Sequence, residues 1–250
     1  MRKIINQIAA STGARPRPGA ETTIRSHRYE RKAVVEYSDR HAVEALIRRH
    51  PGRFQTVHSP AVINNIYWDT PLFRNYRDAV DGVASRLKVR IRWYGDFFPA
   101  SVSPQLEIKG KDGHVFSKTV YPLARARFFR GMNAEDMAAL VRTGDLPGEI
   151  SRLIGRMRPV LVNRYQRQYY RTGDGRYRLT LDYNLCFSGV RPFDNQYNNW
   201  TLDDSMVIVE FKYDPTADDR FFEIANEFPF RISGSSKYVI GMSRVYGLGR

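Results

Sequence analysis

The sequence predicts an antiparallel α+β fold whose strands curl into a barrel with helices around it. Three observations carry this expectation. Strand-like segments follow one another closely, without the strand–helix–strand alternation of a parallel sheet. Five strands each gather basic side chains on one face and apolar side chains on the other. The 250 residues are 42% apolar and 13% aromatic, enough for a sizeable core and unlike a disordered chain.

Residues 1 to about 26 carry Pro16, Pro18 and several Gly, Ser and Thr with little periodicity, and read as a mobile tail before a single domain over 27–250. Alternation begins at His27. Asp39 is a candidate N-cap for a helix over about 40–50, stopped by Pro51-Gly52. Residues 62–69 form a strand closed by Thr70-Pro71, and 72–80 a short helix. Strands follow at about 84–94, 104–111 and 115–121. A helical stretch over 133–157 is capped by Asn133 and broken between Gly144 and Gly148. Strands at 160–171 and 176–183 flank the loop Thr172-Gly173-Asp174-Gly175, a hairpin signal. A polar loop over 188–204, a strand at 206–213, a helix at 217–227 and a short helix after Ser235 complete the chain.

Forty basic residues against 26 acidic ones leave a net charge of +14. Such an excess points to a polyanionic partner: nucleic acid, an anionic membrane or phosphate-rich small molecules. The single cysteine, Cys186, excludes an internal disulfide framework and fits a reducing compartment. No apolar run approaches 18 residues, and the opening Met1-Arg2-Lys3-Ile4-Ile5-Asn6-Gln7 is a poor signal peptide, so the expectation is a soluble, cytoplasmic protein without membrane insertion.

The chemistry lies in the strand faces. Arg86, Lys88, Arg90 and Arg92 share one face of a strand, with Leu87, Val89, Ile91 and Trp93 on the other. Arg28, Glu30 and Lys32 share a face; so do Glu107, Lys109 and Lys111; so do Arg176, Arg178 and Asp182; so do Glu210 and Lys212. Like charges two residues apart destabilise a strand unless an anion neutralises them. Closing the strands into a barrel places these faces in a common lumen suited to a chain of phosphates. The interspersed carboxylates would hold Mg²⁺ or Mn²⁺ together with phosphate oxygens. With the lumen empty its cations repel, so Arg90→Ala or Arg92→Ala is expected to abolish triphosphate binding and to raise the melting temperature slightly. His27, His41, His50, His58 and His114 have no metal-ligand spacing, and Gly234-Ser235-Ser236-Lys237 lacks the spaced glycines of a phosphate loop. Nucleic acid is not the expected partner, since Trp68, Trp93 and Tyr94 read as packing rather than base-stacking residues.

These residues resemble a family. The segments 28–32 (Arg-Tyr-Glu-Arg-Lys), 66–70 (Ile-Tyr-Trp-Asp-Thr), 88–95 (Lys-Val-Arg-Ile-Arg-Trp-Tyr-Gly), 106–109 (Leu-Glu-Ile-Lys), 178–182 (Arg-Leu-Thr-Leu-Asp) and 236–238 (Ser-Lys-Tyr) are similar to the VTC domain of polyphosphate polymerases, within the triphosphate tunnel metalloenzymes and CYTH-like proteins. The resemblance spans about 27–246. It implies an eight-stranded antiparallel closed β-barrel, ATP or another triphosphate and inorganic polyphosphate as partners, and Mn²⁺ or Mg²⁺ as cofactor. It further implies transfer of the γ-phosphoryl of ATP to a polyphosphate chain, with a metal-dependent triphosphatase or a non-catalytic polyanion-binding module as alternatives. Lys32, Arg90, Arg92, Lys109, Arg167 and Lys237 match the phosphate-contacting catalytic positions. Arg28, Arg86, Lys88, Lys111, Lys118, Arg176, Arg178, Lys212 and Ser236 are the further phosphate-binding candidates, and Glu210, Glu30 and Glu107 the metal candidates. Two departures matter: Arg28 replaces the first Glu of the superfamily's Glu-x-Glu-x-Lys, and Lys212 follows Glu210 where hydrolases often carry Glu-x-Glu. Fewer carboxylates and more cations favour holding a longer phosphate chain.

Overall fold

The computed structural model describes residues 22–24, 29–36, 40–112, 115–193, 195–234 and 236–249; the rest of the expected tail, His27, Arg28, Asp39, His114 and Ser235 lie outside the described residues. Ten strands form one antiparallel sheet: β1 (Thr22–Ile24), β2 (Tyr29–Glu36), β3 (Gln55–Asp69), β4 (Ser85–Tyr94), β5 (Gln105–Asp112), β6 (Val115–Pro122), β7 (Arg158–Arg171), β8 (Tyr177–Gly189), β9 (Thr201–Asp203) and β10 (Met206–Tyr213). β1, inside the stretch expected as tail, and β9 have three residues each, so eight strands make the body. The order is β1-β6-β5-β4-β3-β7-β8-β10-β2, with β9 beside β8. Six helices accompany it among the described residues: α1 (Arg40–Arg49), α2 (Arg74–Val80), α3 (Ala134–Arg142), α4 (Gly148–Ile154), α5 (Phe221–Ala225) and α6 (Lys237–Tyr246). No described helix is long and apolar enough to cross a membrane.

Alternation decides which face each helix covers. On the convex side, Leu87, Val89, Ile91 and Trp93 of β4 and Leu106 and Ile108 of β5 pack against Met137 and Val141 of α3 and Ile150 and Ile154 of α4. α3 starts where predicted: the Asn133 side chain accepts from the Asp136 amide, and the Asp136 carboxylate accepts from the Asn133 amide, each at 2.9 Å. A second convex core sets Leu179, Leu181, Val207, Val209 and Phe211 against Val43 and Ile47 of α1 and Phe221 of α5. Burial of each of these large side chains contributes about 1.5–3 kcal/mol.

The third core lies on the concave side, where Ile63, Tyr67, Leu161, Tyr165, Leu185, Phe187 and Ile208 meet Tyr76 of α2 and Tyr238 and Met242 of α6. Two helices thus plug one end of the concave face and leave the rest to polar side chains. The sheet curls far enough for Lys109 on β5 to reach Glu30 on β2, 3.9 Å away. The backbone ladder nevertheless stays open, because among the described residues β2 pairs only with β10, and β1 only with β6. The expected closed barrel is therefore a deep half-barrel whose edges are bridged by side chains.

Two strands outrun their sequence signal. β8 continues past residue 183 to Gly189 because an extra residue near Asn184, at φ 52°, shifts the register against β7. Tyr183 faces the convex core while Leu185 and Phe187 face the concave one, so the bulge breaks the period that marks a strand. β3 begins seven residues early, in an exposed stretch containing Pro60 and two register shifts. The helix expected over 217–227 shrinks to a 3₁₀ turn, Pro215–Ala217, and the five residues of α5.

Candidate functional site

The inward faces of β2, β4, β5, β6, β7, β8 and β10 and the first turn of α6 converge on one basic groove. Cross-strand register builds it: Lys88 lies opposite Lys109, Arg90 opposite Glu107, Arg167 opposite Asp182, and Glu210 between Thr180 and Lys32. Nine cations, Lys32, Lys88, Arg90, Arg92, Lys109, Lys118, Arg167, Lys212 and Lys237, surround four carboxylates, Glu30, Glu107, Asp182 and Glu210.

Each carboxylate organises several cations. Glu107, 2% exposed, accepts from Arg90 Nη2 at 2.6 Å and Lys118 Nζ at 2.9 Å, with Arg92 Nη1 at 3.5 Å. Asp182, fully buried, takes the Arg167 guanidinium as a fork at 2.6 and 2.7 Å, and Lys237 Nζ at 2.5 Å. Glu210 pairs with Lys212 at 2.6 Å and lies 3.9 Å from both Lys32 and Arg167. Glu30 holds Lys32 at 2.5 Å. Lys88 differs: its ammonium donates only to the Ser236 hydroxyl, at 2.7 Å, with no ion pair among the described residues.

The charges move the titrations accordingly. Burial opposes ionisation of Glu107, yet Arg90, Arg92 and Lys118 hold its carboxyl well below the usual range. Burial and Glu210 likewise work against Glu30, but Lys32, Lys109 and Lys212 hold it down to about 2. Burial, with Arg90 and Lys212 adding like charge, pulls the Lys109 ammonium down to about 7 against Glu30 and Glu210. Burial, then Lys32, Lys109 and Arg90, drives Lys88 well below the ordinary lysine range.

Of the candidates read from sequence, Lys32, Lys88, Arg90, Arg92, Lys109, Lys118, Arg167, Lys212, Ser236, Lys237, Glu30, Glu107 and Glu210 gather here. Arg86 and Lys111 face each other where β4 and β5 reach the rim, and Arg178 lies opposite Lys212 at the mouth. Arg176 does not join them: it sits exposed on the β7–β8 turn beside Asp174, 3.8 Å away, because β8 starts only at Tyr177. Arg28 is outside the described residues.

Glu107 does not fit a metal, because Arg90 and Lys118 hold its oxygens at 2.6 and 2.9 Å with Arg92 at 3.5 Å, whereas Glu210 has one cation that close, Lys212 at 2.6 Å, with Lys32 and Arg167 at 3.9 Å. Glu210 and Glu30 fit better: both carboxylates lie on adjacent strands, and the Thr180 hydroxyl beside Glu210 is buried with no hydrogen-bond partner. Among the described residues no cluster of three His, Cys, Asp or Glu side chains could hold a metal alone, so phosphate oxygens would complete the shell.

Sequence reading missed Asp182 as the anchor of Arg167 and Lys237, although its alternation with Arg178 was the available signal. It also missed Asn65, which accepts from Arg92 Nε at 3.1 Å and donates to Asn163 at 3.3 Å, and Tyr165, whose ring lies 4.8 Å under Lys237 Nζ. The two asparagines break apolar strands and are fully buried, a pattern that marks a polar interior.

Among solved structures the chain is similar to a Vibrio parahaemolyticus protein described as an adenylate cyclase candidate, with 13% identity, a TM-score of 0.47, and 85% of this chain and 97% of that one covered. A Hippeastrum adenylyl cyclase candidate, reported to have a dominant triphosphatase activity, gives 15% identity, a TM-score of 0.47, and coverage of 87% and 97%. A Bacillus halodurans adenylate cyclase candidate gives 17% identity, a TM-score of 0.44, and coverage of 84% and 96%. No curated protein matches the chain significantly. The VTC domain model matches residues 27–246, a span that takes in every strand and helix supplying a cation to the groove, and the chain belongs to the VTC domain family.

Proposed function

We propose that the groove binds inorganic polyphosphate and transfers the γ-phosphoryl of ATP to its end with Mn²⁺ or Mg²⁺. One observation carries this reading: the cations continue past what a single triphosphate needs. β4 alone presents Arg86, Lys88, Arg90 and Arg92, a run of about 20 Å at 3.3 Å per residue. Glu107 and Asp182 bind Nε and Nη2 of Arg90 and Arg167 before substrate arrives, so the remaining Nη1 group of each guanidinium meets developing charge on the equatorial oxygens without reorganising. Lys88 and Lys109, the least satisfied cations, take up the phosphate chain beyond the reacting group. Glu210, aided by Glu30, would hold the metal, which supplies charge neutralisation of the triphosphate.

The test incubates pure protein with ATP and Mn²⁺, resolves products on gels, and measures free phosphate in parallel. ADP with chains longer than three phosphates and little early orthophosphate is the expected outcome. Affinity measured by calorimetry should also rise with phosphate chain length. Orthophosphate as the sole product, with affinity flat beyond three phosphates, would replace this reading with a triphosphatase. Length-dependent binding without turnover would leave a polyanion-binding module.

A further inference from the structure

Asp69 ends β3 outside the basic groove and is fully buried. Its carboxylate caps α2, accepting from the amides of Thr70 at 2.6 Å, Asn75 at 2.8 Å and Tyr76 at 2.9 Å. It serves as that helix's acceptor because Phe73, at the N-cap with φ 54°, offers no side-chain acceptor. Three amides complete that structural task. Besides the Thr70 hydroxyl, at 3.5 Å, the Tyr238 hydroxyl donates to the same carboxylate from α6.

Tyr238 directly follows the two residues that α6 delivers to the groove, Ser236 against Lys88 and Lys237 against Asp182. α6 has no side-chain cap hydrogen bond of its own; its first turn is held locally by the Ser236 carbonyl, which accepts from the Ile240 amide at 2.9 Å, while the Ser236 hydroxyl is taken by Lys88. The Tyr238 ring is buried, 5.0 Å from the Tyr67 ring. We propose that Asp69 and Tyr238 are positioning residues: their hydrogen bond fixes the first turn of α6 and thereby aims Lys237 and Ser236 at the bound polyanion. The inference rests on the polyphosphate-binding reading of the groove.

Tripolyphosphate is titrated calorimetrically at several salt concentrations into wild type, Tyr238→Phe, Lys237→Ala, Lys118→Ala and the corresponding double variants. Tyr238→Phe keeps the ring and removes only the hydroxyl, so its melting temperature serves as the fold control. Its affinity should fall by about three- to tenfold, the range of one lost charge contact at a partly screened site. The salt dependence should flatten, as it should in Lys237→Ala. A merely structural defect would add to every other variant; a positioning defect should shrink on the Lys237→Ala background to what Ser236 contributes, and persist in full on Lys118→Ala. Asp69→Asn gives the same test from the other partner should Tyr238→Phe fold poorly. Wild-type affinity intact in Tyr238→Phe, or a loss undiminished by Lys237→Ala, overturns the proposal. Wild type that does not bind tripolyphosphate defeats the functional reading instead. Positioning is then read without ligand, by competitive amine labelling: Lys237 should become more reactive in Tyr238→Phe relative to Lys118, and unchanged reactivity overturns the proposal.

Discussion

The groove's cations are not equivalent, and the difference lies in which of them a carboxylate reaches. Arg90 is nearly buried and doubly bonded to Glu107, so the expected gain in melting temperature from Arg90→Ala does not follow. Removing it leaves Glu107 buried with fewer partners, and the variant should lose about 2 kcal/mol, less than the roughly 3–5 kcal/mol of a broken isolated buried pair because Arg92 and Lys118 remain. Lys88 is the cation whose removal should stabilise. It has a hydroxyl for partner and three cations around it, so Lys88→Met should raise the melting temperature of ligand-free protein by about 2–4 °C for each kcal/mol of relieved repulsion and desolvation, while weakening polyphosphate binding. Differential scanning calorimetry on both variants checks the opposite signs. At the carboxylates, Glu210→Gln removes the proposed metal ligand but no positive charge. Turnover at limiting Mn²⁺ should fall roughly 10–100-fold, while metal-free polyphosphate affinity holds or rises, since a negative charge has left the groove. Equal losses in both measurements would exclude Glu210 as the principal ligand.

At the scale of elements, α6 depends on a glycine that no groove chemistry requires. A Cβ on Gly241 would lie 2.4 Å from Phe187 Cδ1 and 2.6 Å from Leu161 Cδ2, both rigid inside the concave core. Gly241→Ala would gain about 1 kcal/mol of helix propensity. Overpacking of this kind costs about 1–3 kcal/mol, so the net change should be destabilising and should displace α6 from the sheet. Chemical denaturation should show a lower midpoint at an unchanged slope, with weaker tripolyphosphate binding as Lys237 withdraws from Asp182. The elements themselves were legible where one period held throughout. β4, β5 and β10 show clean alternation because one face packs under helices and the other carries charge. β8 was cut short at its bulge, and the start of β3 was lost because an exposed edge with Pro60 has no apolar face to declare it. α5 was overextended because a helical apolar spacing over 217–227 also serves a 3₁₀ turn followed by a short helix.

For the whole molecule, sequence parity revealed that cations from several strands share a lumen, but parity is local and could not say which opposite charges meet across it. The Glu107 and Asp182 hubs depend on register between strands, and the open edge between β1 and β2 depends on curl. That assembly makes binding depend on pH in a definite direction. Lys109 faces Glu30 from β2, Glu210 and Lys212 from β10, Lys88 and Arg90 from β4 and Lys118 from β6, and its ammonium is held at about 7. Lys88, buried and facing Lys32, Lys109 and Arg90 with Glu30 as the opposing charge and Ser236 as its hydrogen-bond partner, is also well below its ordinary value. In ligand-free protein above pH 7 these amines therefore shed protons that the unfolded chain keeps. Where the unfolded state binds more protons, stability rises with pH, so these groups should make the ligand-free protein more stable as pH climbs from 7 toward the ordinary lysine range. A bound polyanion reverses the balance by favouring the ammonium form, so binding should take up protons and affinity should fall as pH rises, by up to about tenfold per unit for each coupled amine. Long polyphosphate in EDTA is the right probe. Its few end groups, which titrate near pH 6, contribute little to the change, and chelation keeps metal off Glu30 and Glu210. Calorimetry between pH 6.5 and 9, in two buffers of different ionisation enthalpy, should report proton uptake together with falling affinity while the ligand-free melting temperature moves upward. The Lys88→Met, Lys109→Met double variant should flatten both trends. Affinity that does not fall with pH in wild type would mean that these two amines stay charged in the empty groove and that their burial does not govern polyanion capture.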